Sequence, residues 1–299
     1  MKIIVLGAGA IGSLYGAKLS QLNDVVLIGK WKHADSINKN GLKITGLENK
    51  TYKIRAATKI GKIKDGTVIL LTIKAQDNEK AIKSIKHLLG KNTIIICLQN
   101  GLYSENIVKN VVGKKCLVLR AITNFGAVFL KPGIIGYKFY SYTSIEKSPE
   151  SRGIAENFSR CGLNAHVSND IRYDMWKKLI FNCIVNPLTA ILKVENKGIC
   201  DEKLNPLKRL IIGECLKVAE KDGISFDINF LDALHNEFKS SINVSSMQQD
   251  LIKGKKTEIG YLNGAVAGMG RKFGIKCPVN EALLSLIRFL ESEKIKKQD

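Results

Sequence analysis

The sequence predicts an α/β protein in which a doubly wound, mostly parallel sheet is followed by an all-helical domain. Three observations carry that prediction. The chain has 299 residues, more than one hydrophobic core usually spans. Short apolar runs alternate with helical periodicity up to about residue 168, and beyond about Asp170 the periodicity is helical throughout. The first apolar run ends in a glycine-rich turn that opens directly into a helix. The expected domains are residues 1–168 and 169–299.

The elements follow in order. KIIVLGAGAIGSLYGAKLSQL reads as strand, turn and helix, and DVVLIGK as a second strand. TVILLTIKA and NTIIICLQNG are β-branched runs of the kind found in parallel strands covered on both faces, and AIKSIKHLLG is an amphipathic helix between them. The segment from Cys116 to Glu146 is β-rich with glycine turns, which predicts antiparallel strands at the far edge. Residues 150–170 add a helix and a strand. Five helical stretches then run from Arg172 to Lys294, with Gly223 and Gly274 where helix C-caps are expected.

Composition excludes several classes. No apolar run approaches the ~20 residues that span a bilayer, and Met1 leads straight into a strand rather than a signal peptide. A cytoplasmic location and no membrane partner are therefore expected. The seven cysteines are scattered, with no C-x-x-C, and there are only four histidines. No metal site is expected, and the cysteines read as small buried hydrophobes. The net charge of +20 is spread along the chain, with a dense block only in the tail EKIKKQD. Aromatic residues are not interleaved with it, so no nucleic-acid partner is expected. The charge favours anionic small molecules.

GAGAIG sets Gly7, Gly9 and Gly12 in the G-x-G-x-x-G pattern, between a strand and a helix as dinucleotide binding requires. The helix N-terminus, with Ala10 and Ile11 in its first turn, then offers free N–H groups to a pyrophosphate. NAD-binding domains usually carry an acid at the end of the second strand. Here that end reads LIGKWKH, a loop with Lys30 and Lys32 and no acid, which suits the 2′-phosphate of NADP (NADPH). This fold class is Rossmann-type. Its ligands lie beyond the carboxyl ends of the strands, where Lys74 and Asn100 stand.

The helix DMWKKLIFNCIVNPLTA carries Lys178, Asn182 and Asn186 four residues apart on an otherwise apolar background. They form one polar stripe. Asparagine is a mediocre helix former, so two of them make a poor solvent face. A nicotinamide enzyme reducing a carbonyl needs a proton donor and groups that hold the substrate. Lys178 can donate, and the two amides can orient. Pro187 should kink the helix.

Together GAGAIG, IKA, QNG, WKKLIFNCIVNPLTA, SSMQQDL and KKTEIGYLNG resemble the ketopantoate reductase family over essentially the whole chain, in order and at compatible spacing. The resemblance implies a Rossmann domain, a helical domain and an active site between them. It also implies reduction of 2-dehydropantoate to (R)-pantoate with NADPH, on the route to pantothenate and coenzyme A. By position, Lys178 resembles the family's general acid, and Asn182, Asn186 and Asn196 its substrate-binding amides. Asn100 resembles the contact to both cofactor and substrate, and Ser246 the group binding the substrate carboxylate. Glu258 resembles the residue that touches the cofactor and supports the lysine. Lys30 and Lys74 stand at cofactor contacts. The pattern departs at Gly260, where an acid is usual, and at Lys30, where arginine is more usual. Ser246 also has a reading as a helix N-cap. The alternatives are a reductase of another 2-oxo acid or imine with this architecture, and a non-enzymatic NADP-binding protein. The resemblance allows a homodimer.

Overall fold

In the computed structural model, which describes residues 1–295, the chain divides into two compact units. The first holds residues 1–99 and 103–171, and the second holds residues 100–102 and those from Arg172 onward. The last four residues of the basic tail, 296–299, lie outside the described residues.

The first unit begins with β1 (Lys2–Leu6), α1 (Ala10–Leu19), β2 (Asp24–Ile28) and α2 (Trp31–Asn40). The short strands β3 (Leu42–Gly46), β4 (Lys50–Tyr52) and β5 (Arg55–Ala57) follow, then β6 (Thr67–Leu71), α3 (Asn78–Ile85), β7 (Ile94–Cys97) and α4 (Ser104–Val112). The unit is completed by β8 (Leu117–Thr123), β9 (Gly126–Lys131), β10 (Ile134–Phe139), β11 (Thr143–Ile145), α5 (Ser151–Arg160) and β12 (Ala165–Val167).

Eight strands form the main sheet in the order β12-β11-β8-β7-β6-β1-β2-β5. From β5 to β8 every pairing is parallel. The strands are apolar on both faces because both faces are covered. Ile3 and Val5 of β1 enter one core with Leu14 and Leu27, while Ile4 enters the other with Ile69, Ile82 and Val108. The strand order reverses direction at β1, the position where open α/β sheets bind ligands.

The segment from Cys116 to Glu146 corrects the expected antiparallel edge. β8 is an interior parallel strand, and only β11 runs antiparallel to it. β9 and β10 leave the main sheet and join β3 and β4 in a four-stranded sheet ordered β4-β3-β10-β9. Gly133, at φ +77°, turns the β9–β10 hairpin, and β10 pairs parallel with β3. That partner is some ninety residues upstream, beyond the reach of local patterning.

A second correction concerns LIGKWKH. Lys30 is the N-cap of α2, so Trp31, Lys32 and His33 form a first helical turn rather than a loop. His33 is 3% exposed. Its Nδ1 accepts from Gly133 N (2.9 Å), so Nε2 carries the proton and faces Ser13 Oγ at 3.0 Å. One neutral imidazole thus ties α2 to the start of α1 and to the β9–β10 turn.

The second unit is helical, with α6 (Ile171–Leu192), α7 (Asn205–Lys221), α8 (Phe230–Phe238), α9 (Ser246–Ile252), α10 (Asn263–Phe273) and α11 (Pro278–Ile295). Gly223 (φ +80°) follows α7 and Gly274 (φ +71°) caps α10, as left-handed residues that let the chain leave a helix. Among the described residues no helix is long and apolar enough to cross a membrane.

His33 generates a pH prediction. Burial pushes its pKa below the ordinary value of 6.5, so the unfolded chain takes up the proton more readily than the folded one. This contribution to stability is whole above about pH 6.5 and is lost as pH falls from there through the lower folded-state pKa. Thermal melts on either side should show wild type losing more stability in acid than His33→Gln. Equal losses would show that His33 does not titrate with unfolding.

Candidate functional site

In the first unit the strand-to-helix turn has an open side and a closed side. Gly7 has φ +120°, and a Cβ there would lie 2.5 Å from Ile73 N. A Cβ on Gly12 would lie 2.1 Å from Gly7 O and 2.5 Å from Thr72 Oγ1. These two glycines let the turn pack on the end of β6, where Thr72 Oγ1 donates to Gly7 O at 2.8 Å. Gly9 differs. A Cβ there would meet nothing nearer than Gly7 O at 4.0 Å, and Gly9 is exposed. The space above it is open. Gly9 caps α1 without a side chain, and no acid stands in the first turn. Ala10 and Ile11 therefore present the unpaired first N–H groups of a helix. That donor set fits a pyrophosphate.

The turn is locked to the end of β2, since Gly7 N and Ala8 N both donate to Ile28 O (3.0 and 2.8 Å). Two residues beyond Ile28 comes Lys30, exposed. Lys74 lies three residues beyond β6, half-buried, as the N-cap of a 3-10 turn over Ala75–Asp77. A buried polar cluster holds this turn against the end of β7. Asn78 Nδ2 donates to Ser104 O (3.1 Å), and Gln99 Nε2 donates to Asn78 Oδ1 (2.5 Å). Arg120 donates to Gln99 O and to Ser104 Oγ, both at 2.5 Å, and lies 3.5 Å from Glu105. The sequence reading missed this cluster. Its one visible signal was an arginine inside the apolar strand LVLRAIT.

In the second unit, the short segment 100–102 brings Asn100 to Glu258, with Nδ2 donating to Oε2 at 3.1 Å. Gly101, at φ +85°, lies so close to Tyr261 that a Cβ would stand 2.4 Å from its carbonyl oxygen. Both asparagine and carboxylate are half-buried.

α6 carries the polar stripe. Lys178 and Asn182 are half-buried and Asn186 is buried, so the stripe deepens along the helix. α6 runs to Leu192 with Pro187 inside it. Proline deprives the carbonyl four residues earlier of its partner, and that carbonyl belongs to Cys183. Asn263 Nδ2 donates to it at 3.0 Å and also reaches Asn280 Oδ1 at 2.9 Å. Asn263 is wholly buried. A side chain from α10 therefore replaces the missing backbone donor.

Ser246 is not the N-cap of α9. Ser245 fills that role, accepting from Gln248 N (3.2 Å) and bonding Thr189 Oγ1 of α6 (2.7 Å). Ser246, the next residue, is exposed. Asn196 opens a 3-10 turn after α6. Asn196 N donates to Asn243 O and Lys197 N to Ser241 O, both at 2.8 Å, which ties this turn to the approach to α9. Lys208, 2% exposed, holds the far end of the turn by donating to Ile199 O (2.8 Å) and Asp201 O (3.2 Å). Asn196 Oδ1 is buried without a hydrogen-bond partner. Glu237 of α8 was also missed. Desolvation raises its carboxyl pKa, while the charges of Lys177 and Lys178 oppose the rise. Among the described residues no group of three His, Cys, Asp or Glu side chains could hold a metal.

Comparison with known proteins follows this division. The family description "Ketopantoate reductase PanE/ApbA" matches residues 3–150, and "Ketopantoate reductase PanE/ApbA C terminal" matches residues 170–291. The 2-dehydropantoate 2-reductase of Pyrococcus horikoshii is 35% identical over 300 residues, covering 98% of each chain. That of Archaeoglobus fulgidus is 32% identical, covering 97% of this chain and 98% of its own. A PanE/ApbA family ketopantoate reductase from Ralstonia eutropha has a TM-score of 0.91 at 27% identity, covering 98% of this chain and 99% of its own. A ternary structure of D-mandelate dehydrogenase with NADH and anilino(oxo)acetate has a TM-score of 0.89 at 29% identity, with the same coverage.

The bond from Asn263 to the proline-freed carbonyl yields a stability prediction. Asn263→Ala leaves a buried carbonyl unpaired and should cost roughly 1–3 kcal/mol. Urea unfolding should show a lower midpoint. An unchanged midpoint would mean that the Cys183 carbonyl finds another donor.

Proposed function

The chain belongs to the ketopantoate reductase family, and from that premise we propose that it is a 2-dehydropantoate 2-reductase using NADPH. The observation that carries the reading is the α6 stripe, an ammonium and two amides graded from half-buried to buried. The reading assigns the pyrophosphate to the Gly9–Ile11 turn and the 2′-phosphate to Lys30 and Lys32. Lys74 is a further cofactor contact.

NADPH, when bound, supplies the hydride that reduces the substrate carbonyl. Lys178 gives its ammonium proton to the oxygen that becomes negative, which removes the charge as it develops. Asn182, Asn186 and Asn196 hold the substrate's polar groups, and Ser246 binds its carboxylate. Asn196 has an unpaired buried oxygen available for a donor hydroxyl. Ser246 has its hydroxyl available because Ser245 caps α9. The Asn100–Glu258 bond holds both side chains in place, and in this reading Glu258 supports the lysine. The +20 charge favours an anionic 2-oxo acid. The proposed setting is cytoplasmic.

A second reading is favoured by one comparison. The D-mandelate dehydrogenase structure contains NADH and anilino(oxo)acetate. A reductase of another 2-oxo acid, using NADH, would employ the same Lys178 chemistry.

Oxidation of NADPH and NADH, followed in parallel by absorbance with 2-dehydropantoate, separates the readings. Rapid oxidation with NADPH preferred supports the proposal, and rapid oxidation with NADH preferred supports the second cofactor reading. Lys178→Ala should lower kcat by roughly 10²–10⁴-fold, the span typical of a general acid. Unchanged turnover in the folded variant would remove that assignment. Lys30→Glu should raise KM for NADPH far more than for NADH, and an equal effect on both would place the 2′-phosphate elsewhere.

A further inference from the structure

The chain has two tryptophans with opposite environments. Trp176 is 1% exposed, and its Nε1 donates to Asp222 Oδ2 at 2.8 Å. Trp31 is 66% exposed. An indole is among the largest apolar surfaces a protein can bury, so leaving one open calls for a reason. Trp31 stands between two exposed lysines, Lys30 and Lys32, with no acid in its helical turn. A purely apolar partner would have to strip water from both ammonium groups, at a cost its own surface could not return. A flat aromatic ring carrying a phosphate suits all three side chains.

Trp31 is also placed for such a ligand. It lies three residues beyond Ile28, whose carbonyl takes both N–H bonds of the glycine turn. Gly29, between them, is so close to the turn that a Cβ there would stand 2.8 Å from Ala8 Cβ. His33 then fixes α2 against Ser13 of α1. The pyrophosphate turn and the indole are therefore held at a set separation. In sheets of this kind the adenosine of a bound dinucleotide runs from the turn over the end of the second strand.

Resting on the NADPH reading above, we propose that Trp31 is the adenine platform of this chain. Its indole stacks on the base while Lys30 and Lys32 flank the 2′-phosphate. The stack serves adenine and the lysines serve the phosphate, so the two contributions are separable.

The test titrates adenosine 2′,5′-bisphosphate and adenosine 5′-phosphate into the full chain, read by tryptophan emission and by calorimetry. Neither probe carries nicotinamide, so a change in emission reports the adenine end. Binding of the bisphosphate should quench the solvent-exposed emission of Trp31 and leave that of Trp176. Trp31→Ala should weaken it on the order of 10-fold, Trp31→Phe should recover part of the loss, and neither should change the melting temperature. Bisphosphate binding with unchanged emission and undiminished affinity in Trp31→Ala would overturn the proposal while leaving the NADPH reading intact. If both probes quench Trp31 and bind equally, the platform stands and the preference for a 2′-phosphate falls.

Discussion

A backbone carbonyl without its regular partner is the constraint on which the second unit rests. Pro187 cannot donate to Cys183, and a helix with an empty carbonyl in a dry core would bend or fray there. Asn263 supplies the bond from α10. Because it does, α6 remains one helix and keeps Lys178, Asn182 and Asn186 in register on one face. The first unit solves the opposite problem. The Ile28 carbonyl at the end of β2 receives two N–H groups from the glycine turn, which closes the gap where β1 stops pairing. Both candidate binding surfaces thus lie where regular hydrogen bonding is interrupted and a specific group completes it.

Such placement explains how few groups are needed around the α6 stripe. Thr189 binds Ser245, so the hydroxyl that caps α9 also ties it to α6. The turn bearing Asn196 is paired with residues 241–243 and anchored from behind by the buried Lys208 ammonium. Lys178, Asn196 and Ser246 are carried by three separate stretches of chain, and each stretch is fastened by bonds that do not use those three side chains. The fastening falls to Thr189, Ser245, Asn263 and Lys208.

Much of the fold was legible because the determining signals are local. The turn around Gly7, the continuous apolar strands and the four-residue spacing of the α6 stripe can each be read within about twenty residues. The four-stranded sheet could not be, because β10 finds its parallel partner in β3 across a long separation. The α2 turn was hidden by lysines and a tryptophan that resemble a loop. Its anchor, His33, bonds to residues 20 and 100 positions away. The two serines before Met247 look equivalent in sequence, and only the helix start distinguishes a capping Ser245 from an exposed Ser246. Asn263 gave no sign of its partner, since nothing in YLNG names a carbonyl eighty residues earlier. The placement of the stripe on one helix was thus readable, and the bonds that hold that helix were not.

The glycine turn has a consequence for how the chain can vary. Gly12 has no room for a β-carbon, because the atoms in the way are the Gly7 backbone and the Thr72 side chain at the end of β6. Gly9 has room for one, since nothing lies nearer than Gly7 O at 4.0 Å, and in the proposed reading a phosphate takes that room. Replacement at the first position is therefore selected against during folding, before any ligand is met. Replacement at the second is compatible with folding and, in the proposed reading, costs only the phosphate site. Two glycines three residues apart in one motif are held in place by different tribunals, one that inspects the polypeptide and one that inspects its metabolism.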